Sequence, residues 1–150
     1  CLLDVLPDAC VIQTHRDPVK AIPSLSSVLH MARRMFEGDA VQAKLIGPRE
    51  LEYWAQAMEK TARVRSQRPD RFFDVDHREF HRNPMGVVRG IYDRFGLSLS
   101  DGAEVRMQRW IAASPTSKHG EHRYDITDYG ITADQVRQRF ADYIERHALG

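Results

Sequence analysis

The sequence predicts an α/β fold, in which a short parallel sheet is flanked by helices and the rest of the segment is rich in helix. One observation is the apolar run at residues 9–14, which has the length of a buried strand and is bounded by turn residues. A second such run is Phe72–Asp76. Because helical patterns separate the two runs, we expect the strands to pair in parallel. Two strands make a poor sheet, so we expect the fold to be incomplete at its N-terminus.

Helical patterns fill the chain between these strands. Asp17 followed by Pro18 is a typical helix start, and apolar residues recur at helical spacing from there to Gly38. A second helix is predicted to begin near Pro48 and to be closed by Pro69. Both helices therefore lie between the first strand and the second.

The C-terminal half is predicted to be mainly helical. Asn83-Pro84 begins one helix, which Gly96 ends. Thr132 and Gln135 have the spacing of a capping box for the last helix. Between these two helices, apolar residues at helical spacing indicate a further helix, namely Met107, Trp110 and Ile111. Without an internal repeat or a linker, residues 1–150 are predicted to form one domain.

Composition and charge limit the classes of function. The 150 residues include 22 Lys and Arg against 21 Asp and Glu, and the formal net charge of +1 argues against a nucleic-acid partner. Any phosphate site must therefore be a local group of cations. The apolar stretches are too short to predict a membrane span, and two cysteines cannot form a disulfide framework, so we expect a cytoplasmic protein. No particular oligomeric state is predicted.

The junction of the first strand and the first long helix is a candidate anion site. Backbone N–H groups and the helix dipole favour an anion at a helix start, and Arg16 adds a donor suited to phosphate oxygens. Pro23 has no N–H, so we expect the helix to kink or restart there, which would place Ser24 near a fresh helix start. The residues alone leave an alternative open, in which Arg16 pairs with Asp17 and Ser24 lies on the helix surface.

Several segments, in this order, resemble the sulfotransferases that use phosphoadenosine phosphosulfate (PAPS). Residues 12–18, Ile-Gln-Thr-His-Arg-Asp-Pro, with Ser24 eight residues after the arginine, are similar to the family's 3′-phosphate-binding segment. Residues 73–84 and 91–97 resemble the strand and the helix that follow it in the family. Residues 117–120, Ser-Lys-His-Gly, resemble a late basic loop that closes over the same phosphate. The resemblance covers nearly the whole chain, and the similarity is greatest to a bacterial branch.

The resemblance implies a P-loop-NTPase-like sulfotransferase fold, of which residues 1–150 would be the C-terminal part of a single domain. It implies transfer of a sulfuryl group from PAPS to a hydroxyl or amine of a small-molecule acceptor, with adenosine 3′,5′-bisphosphate as the product. The donor loop and the general base would lie upstream of Cys1, so the segment alone is expected to be inactive. An alternative is a non-catalytic nucleotide-binding or interaction module that lacks the donor loop. Residues 31–45 and 54–58 are the candidate acceptor-binding segments.

The resemblance also implies a set of cofactor-binding residues. Arg16 and Ser24 would hold the 3′-phosphate, and His77 stands where the family usually has a tyrosine near the adenine edge. Lys118, His119 and Gly120 would form the late loop. The residues alone also allow the late loop to be a solvated turn, or Arg123 to supply its charge. No catalytic residue is predicted in the chain, and His15 is expected to be structural.

Two histidine pairs in the sequence are candidate metal ligands. His77 and His81 would need a helix to bring their rings together, whereas a strand ending at residue 76 predicts a loop after it. His119 and His122 have no third ligand at a suitable spacing, and neither does the first pair. No metal site is therefore predicted.

Overall fold

The computed structural model describes residues 2–114 and 125–150, which form two compact units. Within the described residues, the first unit contains residues 2–15 and 68–114, and the second contains residues 16–67 and 125–150. No helix in the described part of the chain combines the length and the apolar character needed to cross a bilayer.

Helices make up most of both units, as the sequence predicts. Strand β1 covers Val11–His15 and strand β2 covers Phe72–Asp76. The α-helices are α1 (Leu2–Val5), α2 (Pro18–Glu37), α3 (Ala43–Gln67), α4 (His77–Arg82), α5 (Pro84–Arg94), α6 (Asp101–Ala113), α7 (Ala133–Arg139) and α8 (Ala141–Arg146). Short 3₁₀ turns lie at Gly38–Ala40, Pro69–Arg71 and Ile126–Tyr129.

The sheet of the first unit confirms the predicted parallel pairing. In the described residues it consists of β1 and β2, and the register places Val11 opposite Phe72 and His15 opposite Asp76. Both strands therefore end at the same edge of the sheet. Phe72 and Val75 of β2 are buried, but Ile12 of β1 is 48% exposed, so the first strand is not buried along its length among the described residues as the sequence predicts.

Four helix predictions are wrong in detail. The second long helix begins at Ala43 and continues through Pro48. A helix, α4, begins directly at His77, where a loop was expected. The predicted last helix is divided at Phe140 into α7 and α8, and α2 runs without a restart through Pro23.

The early start of α3 has a packing reason. Pro48 cannot donate a hydrogen bond to the carbonyl of Lys44, one turn earlier. Gly130, in a left-handed turn with φ of 74°, packs its backbone against that carbonyl so closely that a Cβ would overlap it. Gly47 packs in the same way against the carbonyl of Tyr129. Tertiary contacts therefore hold this turn in helical form despite the proline.

The core of the second unit joins α2, α3 and α7. Val136 is fully buried, and it clusters with Ile22, Ala55, Ile131 and Phe140. The periodicity that predicts these helices thus identifies the faces that pack together.

An ion-pair network covers one side of this unit. Arg139 of α7 binds both Glu52 and Glu59 of α3, at 2.8 Å and 2.6 Å. The hydrogen bond from the Arg139 guanidinium, followed by one from Gln56, lowers the pKa of Glu52 to about 2. The same contacts raise the pKa of Arg139, so both charges are retained at neutral pH.

Candidate functional site

The start of α2 confirms the predicted cap. Asp17 is the N-cap residue, and its carboxylate accepts a hydrogen bond of 2.9 Å from the N–H of Val19. The Asp17 carbonyl accepts from the N–H groups of Lys20 and Ala21, at 3.0 Å and 2.9 Å. Pro18, at the first helical position, has no N–H to offer.

The N–H groups of the first helical turn are already engaged at this helix start. Those of Val19, Lys20 and Ala21 are all bound to Asp17, and the Asp17 carboxylate complements the positive end of the helix dipole. These three N–H groups are therefore not available to an anion, and the side chains of Arg16 and Ser24 remain the candidate donors.

Arg16 lies directly before the cap, and its side chain is exposed. Asp17 caps the helix and forms no ion pair with it, so the alternative of a local Arg16–Asp17 pair is excluded. Within residues 2–114 and 125–150, the Arg16 guanidinium has no hydrogen-bond or ion-pair partner. A guanidinium without an internal partner is available to an oxyanion ligand.

Ser24 lies in the second turn of α2 and not at a fresh helix start. Its residue is half-buried, and its hydroxyl makes no hydrogen bond to the described residues. Ser26 differs, because it is fully buried and its hydroxyl donates to the carbonyl of Ile22 at 2.9 Å. Ser24 and Asp17 are seven residues apart, and two helical turns place them on the same side of α2. Ser24 therefore lies on the same face of α2 as the N-cap residue Asp17.

A cation that the sequence analysis left out shares this side of α2. Lys20 is exposed and precedes Ser24 by four residues, a spacing that makes helix neighbours. The i, i+4 spacing was the sequence signal that could have identified it.

His77 is the first residue of α4, in the first unit, and it pairs with His81 one turn later. Their Nε2 atoms are 3.2 Å apart, and their ring centroids are 4.4 Å apart. The sequence analysis argues against this pairing because it predicts a loop after β2, and that prediction is wrong. The helix brings the two rings together.

Asp76 fixes the start of α4. Its carboxylate accepts from the N–H of Arg78 at 2.7 Å and from the Arg78 guanidinium at 2.8 Å. The guanidinium, followed by the backbone N–H, lowers the pKa of Asp76 to about 2. Asp76 is thus a charged cap at neutral pH.

His15 ends β1 and is buried. Its Nε2 lies 2.8 Å from the carboxylate of Asp74, a residue of β2. A buried imidazole held by a cross-strand carboxylate can serve as a structural side chain, and a structural role for His15 stays a prediction.

The family follows from comparison with known proteins. The model of the Sulfotransferase family matches residues 1–101. The chain belongs to the sulfotransferase family. A comparison with curated protein sequences finds no match.

Two crystal structures of mycobacterial sulfotransferases are similar to this chain. Sulfotransferase STF9 from Mycobacterium avium is 28% identical, and the match has a TM-score of 0.89 and covers 99% of this chain and 38% of that one. Sulfotransferase STF1 from Mycobacterium tuberculosis is 32% identical, with a TM-score of 0.74 and coverage of 94% of this chain and 35% of that one. The predicted family and the α/β fold class are confirmed, and this chain spans little more than a third of the length of either enzyme.

The predicted site residues of this chain fall into three groups. Arg16 directly precedes the N-cap of α2, and Ser24 lies in the second turn of that helix, both in the second unit. His77 begins α4 in the first unit. The third group, Lys118, His119 and Gly120, lies outside the described residues, as does Arg123.

Proposed function

We propose that this chain supplies the 3′-phosphate-binding part of the PAPS site in a sulfotransferase that acts on a hydroxyl or amine of a small-molecule acceptor. Residues 1–150 would then be the C-terminal part of one sulfotransferase domain. The observation that carries the proposal is a pair of donors near the start of α2, the Arg16 guanidinium and the Ser24 hydroxyl, for which residues 2–114 and 125–150 provide no hydrogen-bond partner.

The donor chemistry of this pair fits a phosphate monoester. A guanidinium offers two parallel N–H groups to two phosphate oxygens, and a hydroxyl adds a third donor. The N–H groups of the helix start are bound to Asp17, so the charge of the phosphate would be met mainly by Arg16. Since Asp17 is held in the cap, its carboxylate does not compete for the guanidinium.

PAPS, when bound, supplies an activated sulfuryl group. The residues of this chain would bind and orient the nucleotide through its 3′-phosphate: Arg16 by charge, Ser24 by a hydrogen bond, and Lys118 and His119 from the late loop, where Gly120 permits a close approach of the backbone. An imidazole at His77 has a ring nitrogen that could meet the adenine edge. None of these groups is proposed to break a bond.

The exposed apolar residues of α2 support an apolar acceptor. Val28, Met31 and Met35 are 55%, 64% and 78% exposed, and their spacing places them on the same helix face as Ser24. We propose that part of this face, within residues 31–45, contacts the acceptor. Cys10 is an exposed free thiol, which fits the proposed cytoplasmic location.

Binding of two isomeric nucleotides to the full-length protein tests the proposal. Isothermal titration calorimetry would compare adenosine 3′,5′-bisphosphate with adenosine 2′,5′-bisphosphate, which carries the same charge at a different position. We expect the 3′ isomer to bind roughly tenfold more tightly or better, because one charge-assisted hydrogen bond contributes about 1.5–3 kcal/mol. Equal affinities would contradict a site shaped for the 3′-phosphate.

A turnover assay separates the enzyme from the non-catalytic alternative. Full-length protein would be incubated with PAPS and a panel of phenols, alcohols and amines, and release of adenosine 3′,5′-bisphosphate would be followed. Release that depends on an acceptor supports the transferase. Tight binding of the 3′ isomer with no turnover on any acceptor would favour a nucleotide-binding module.

A further inference from the structure

The start of α4 carries two imidazoles that face each other. His77 and His81 are four residues apart, and one helical turn places them on the same side of α4. Their Nε2 atoms are 3.2 Å apart, and their ring centroids are 4.4 Å apart. We call these two residues the histidine pair.

The separation of the nitrogens matches the bite of a transition-metal ion. An imidazole nitrogen binds Zn²⁺ at about 2.0–2.1 Å, so two nitrogens 3.2 Å apart subtend about 100° at the ion. This angle lies between the ~90° of octahedral coordination and the ~109° of tetrahedral coordination. The side chains would therefore need little movement to chelate an ion.

The ring of Phe80 helps to orient the pair. Its centroid lies 6.2 Å from that of His81 in an edge-to-face contact. A ring that is held on one side loses less conformational freedom when it binds a ligand.

The arginines of α4 itself are both paired with carboxylates. Arg78 is bound to Asp76 at 2.8 Å, and Arg82 is bound to Glu79 at 3.3 Å. Each arginine of α4 is thus matched by a carboxylate of the same segment. The helix around the pair is close to neutral, and His81 itself is exposed to solvent.

We propose that the histidine pair is a chelating site for a divalent first-row transition ion such as Zn²⁺, Ni²⁺ or Cu²⁺. The two Nε2 atoms are the protein ligands, and water completes the coordination. In the free protein, an Nε2–H of one ring can donate to the Nε2 of the other. Metal binding requires both Nε2 lone pairs, so the donating ring changes to its Nδ1–H tautomer and remains neutral. The proposal does not depend on the proposed function.

Titration of full-length protein, free of any affinity tag, with Zn²⁺ tests the site. We expect His81→Ala to weaken the site by roughly a hundredfold, because the loss of one imidazole turns a chelate into a single contact. His77→Asn should have the same effect. His30→Ala is the matched control, since His30 lies on α2 and contacts Tyr129, and it should bind Zn²⁺ like the parent.

A spectroscopic readout identifies the ligands. With one equivalent of Cu²⁺, electron paramagnetic resonance should show coupling to two imidazole nitrogens in the parent protein and to fewer in His81→Ala. Thermal melting establishes that each variant is folded. Unchanged Zn²⁺ affinity in a folded His81→Ala protein, or no Zn²⁺ binding by the parent, would overturn the proposal.

Discussion

Ser24 and Ser26 give a matched pair of substitutions in one helix. The two residues are about 200° apart around α2, so they face nearly opposite sides. Ser26 is fully buried and donates to the Ile22 carbonyl, whereas the hydroxyl of Ser24 has no hydrogen-bond partner in the described residues. We predict that Ser24→Ala weakens the binding of adenosine 3′,5′-bisphosphate and that Ser26→Ala does not.

The magnitude follows from the loss of one hydrogen bond to a charged phosphate. Such a bond contributes about 1.5–3 kcal/mol, which corresponds to a roughly 10- to 150-fold increase in the Kd of Ser24→Ala. The folded state should not suffer, because alanine favours a helix by up to about 0.5 kcal/mol over serine. Ser26→Ala should change the free energy of unfolding by less than about 1.5 kcal/mol, because the Ile22 carbonyl keeps its helical partner.

Calorimetry on the full-length protein measures the Kd values, and urea denaturation measures the free energies of unfolding. If Ser24→Ala binds the nucleotide like the parent, or if Ser26→Ala loses as much affinity, the assignment of Ser24 to the phosphate site is refuted. A fall in the stability of Ser24→Ala would show that its hydroxyl serves the fold.

Two further predictions concern the stability of the second unit. Gly130→Ala should destabilise it by more than the ~1–2 kcal/mol of a left-handed alanine, because the added Cβ overlaps the Lys44 carbonyl. Gly96→Ala in the first unit, with a φ of 63° and no atom within 4 Å of the new Cβ, should show only the conformational cost in urea denaturation, and equal losses would contradict the packing. Arg139 lowers the pKa of Glu52 from 4.5 to about 2, so the stabilisation from this ion pair should be present above pH 4.5 and disappear as the pH falls through about 2. The difference in Tm between the parent and Glu52→Gln should therefore shrink in that range. A difference that is independent of pH would contradict the ion pair.

The sequence predicted the elements whose signals are local. Asp17-Pro18 at the start of α2 and the capping box at Thr132 are both present, and β2 has the predicted bounds. Each of these signals lies within a few residues of the structure that it specifies. Parallel pairing also followed, since the order of strands and helices leaves few alternatives.

Tertiary contacts explain part of what the sequence analysis missed. Pro48 suggested a helix start, but Gly130 packs against the carbonyl that the proline leaves unpaired. That contact joins residues far apart in the chain, so no local pattern could reveal it. Helix α4 is a different case. Asp76 followed by Glu79 three residues later is a recognised helix-start signal, but the strand before it favoured the prediction of a loop.

For the candidate site, the sequence indicates residues but not which N–H groups the fold already uses. The motif around Arg16 and Ser24 predicts the place, and a helix start suggested backbone N–H groups as partners of the anion. The structure shows that Asp17 occupies those groups, both by its side chain and by its carbonyl. Which of several possible acceptors takes an N–H is a matter of geometry that the residue types alone do not determine.

A cycle of two proteins and two ligands tests most directly whether Arg16 binds the 3′-phosphate of the nucleotide. Calorimetry would measure adenosine 3′,5′-bisphosphate and adenosine 5′-monophosphate binding to the full-length parent and to Arg16→Ala. We predict that Arg16→Ala weakens the binding of the bisphosphate by about 2–4 kcal/mol and leaves the affinity for the monophosphate nearly unchanged. Equal losses for both nucleotides, or none for the bisphosphate, would contradict the claim.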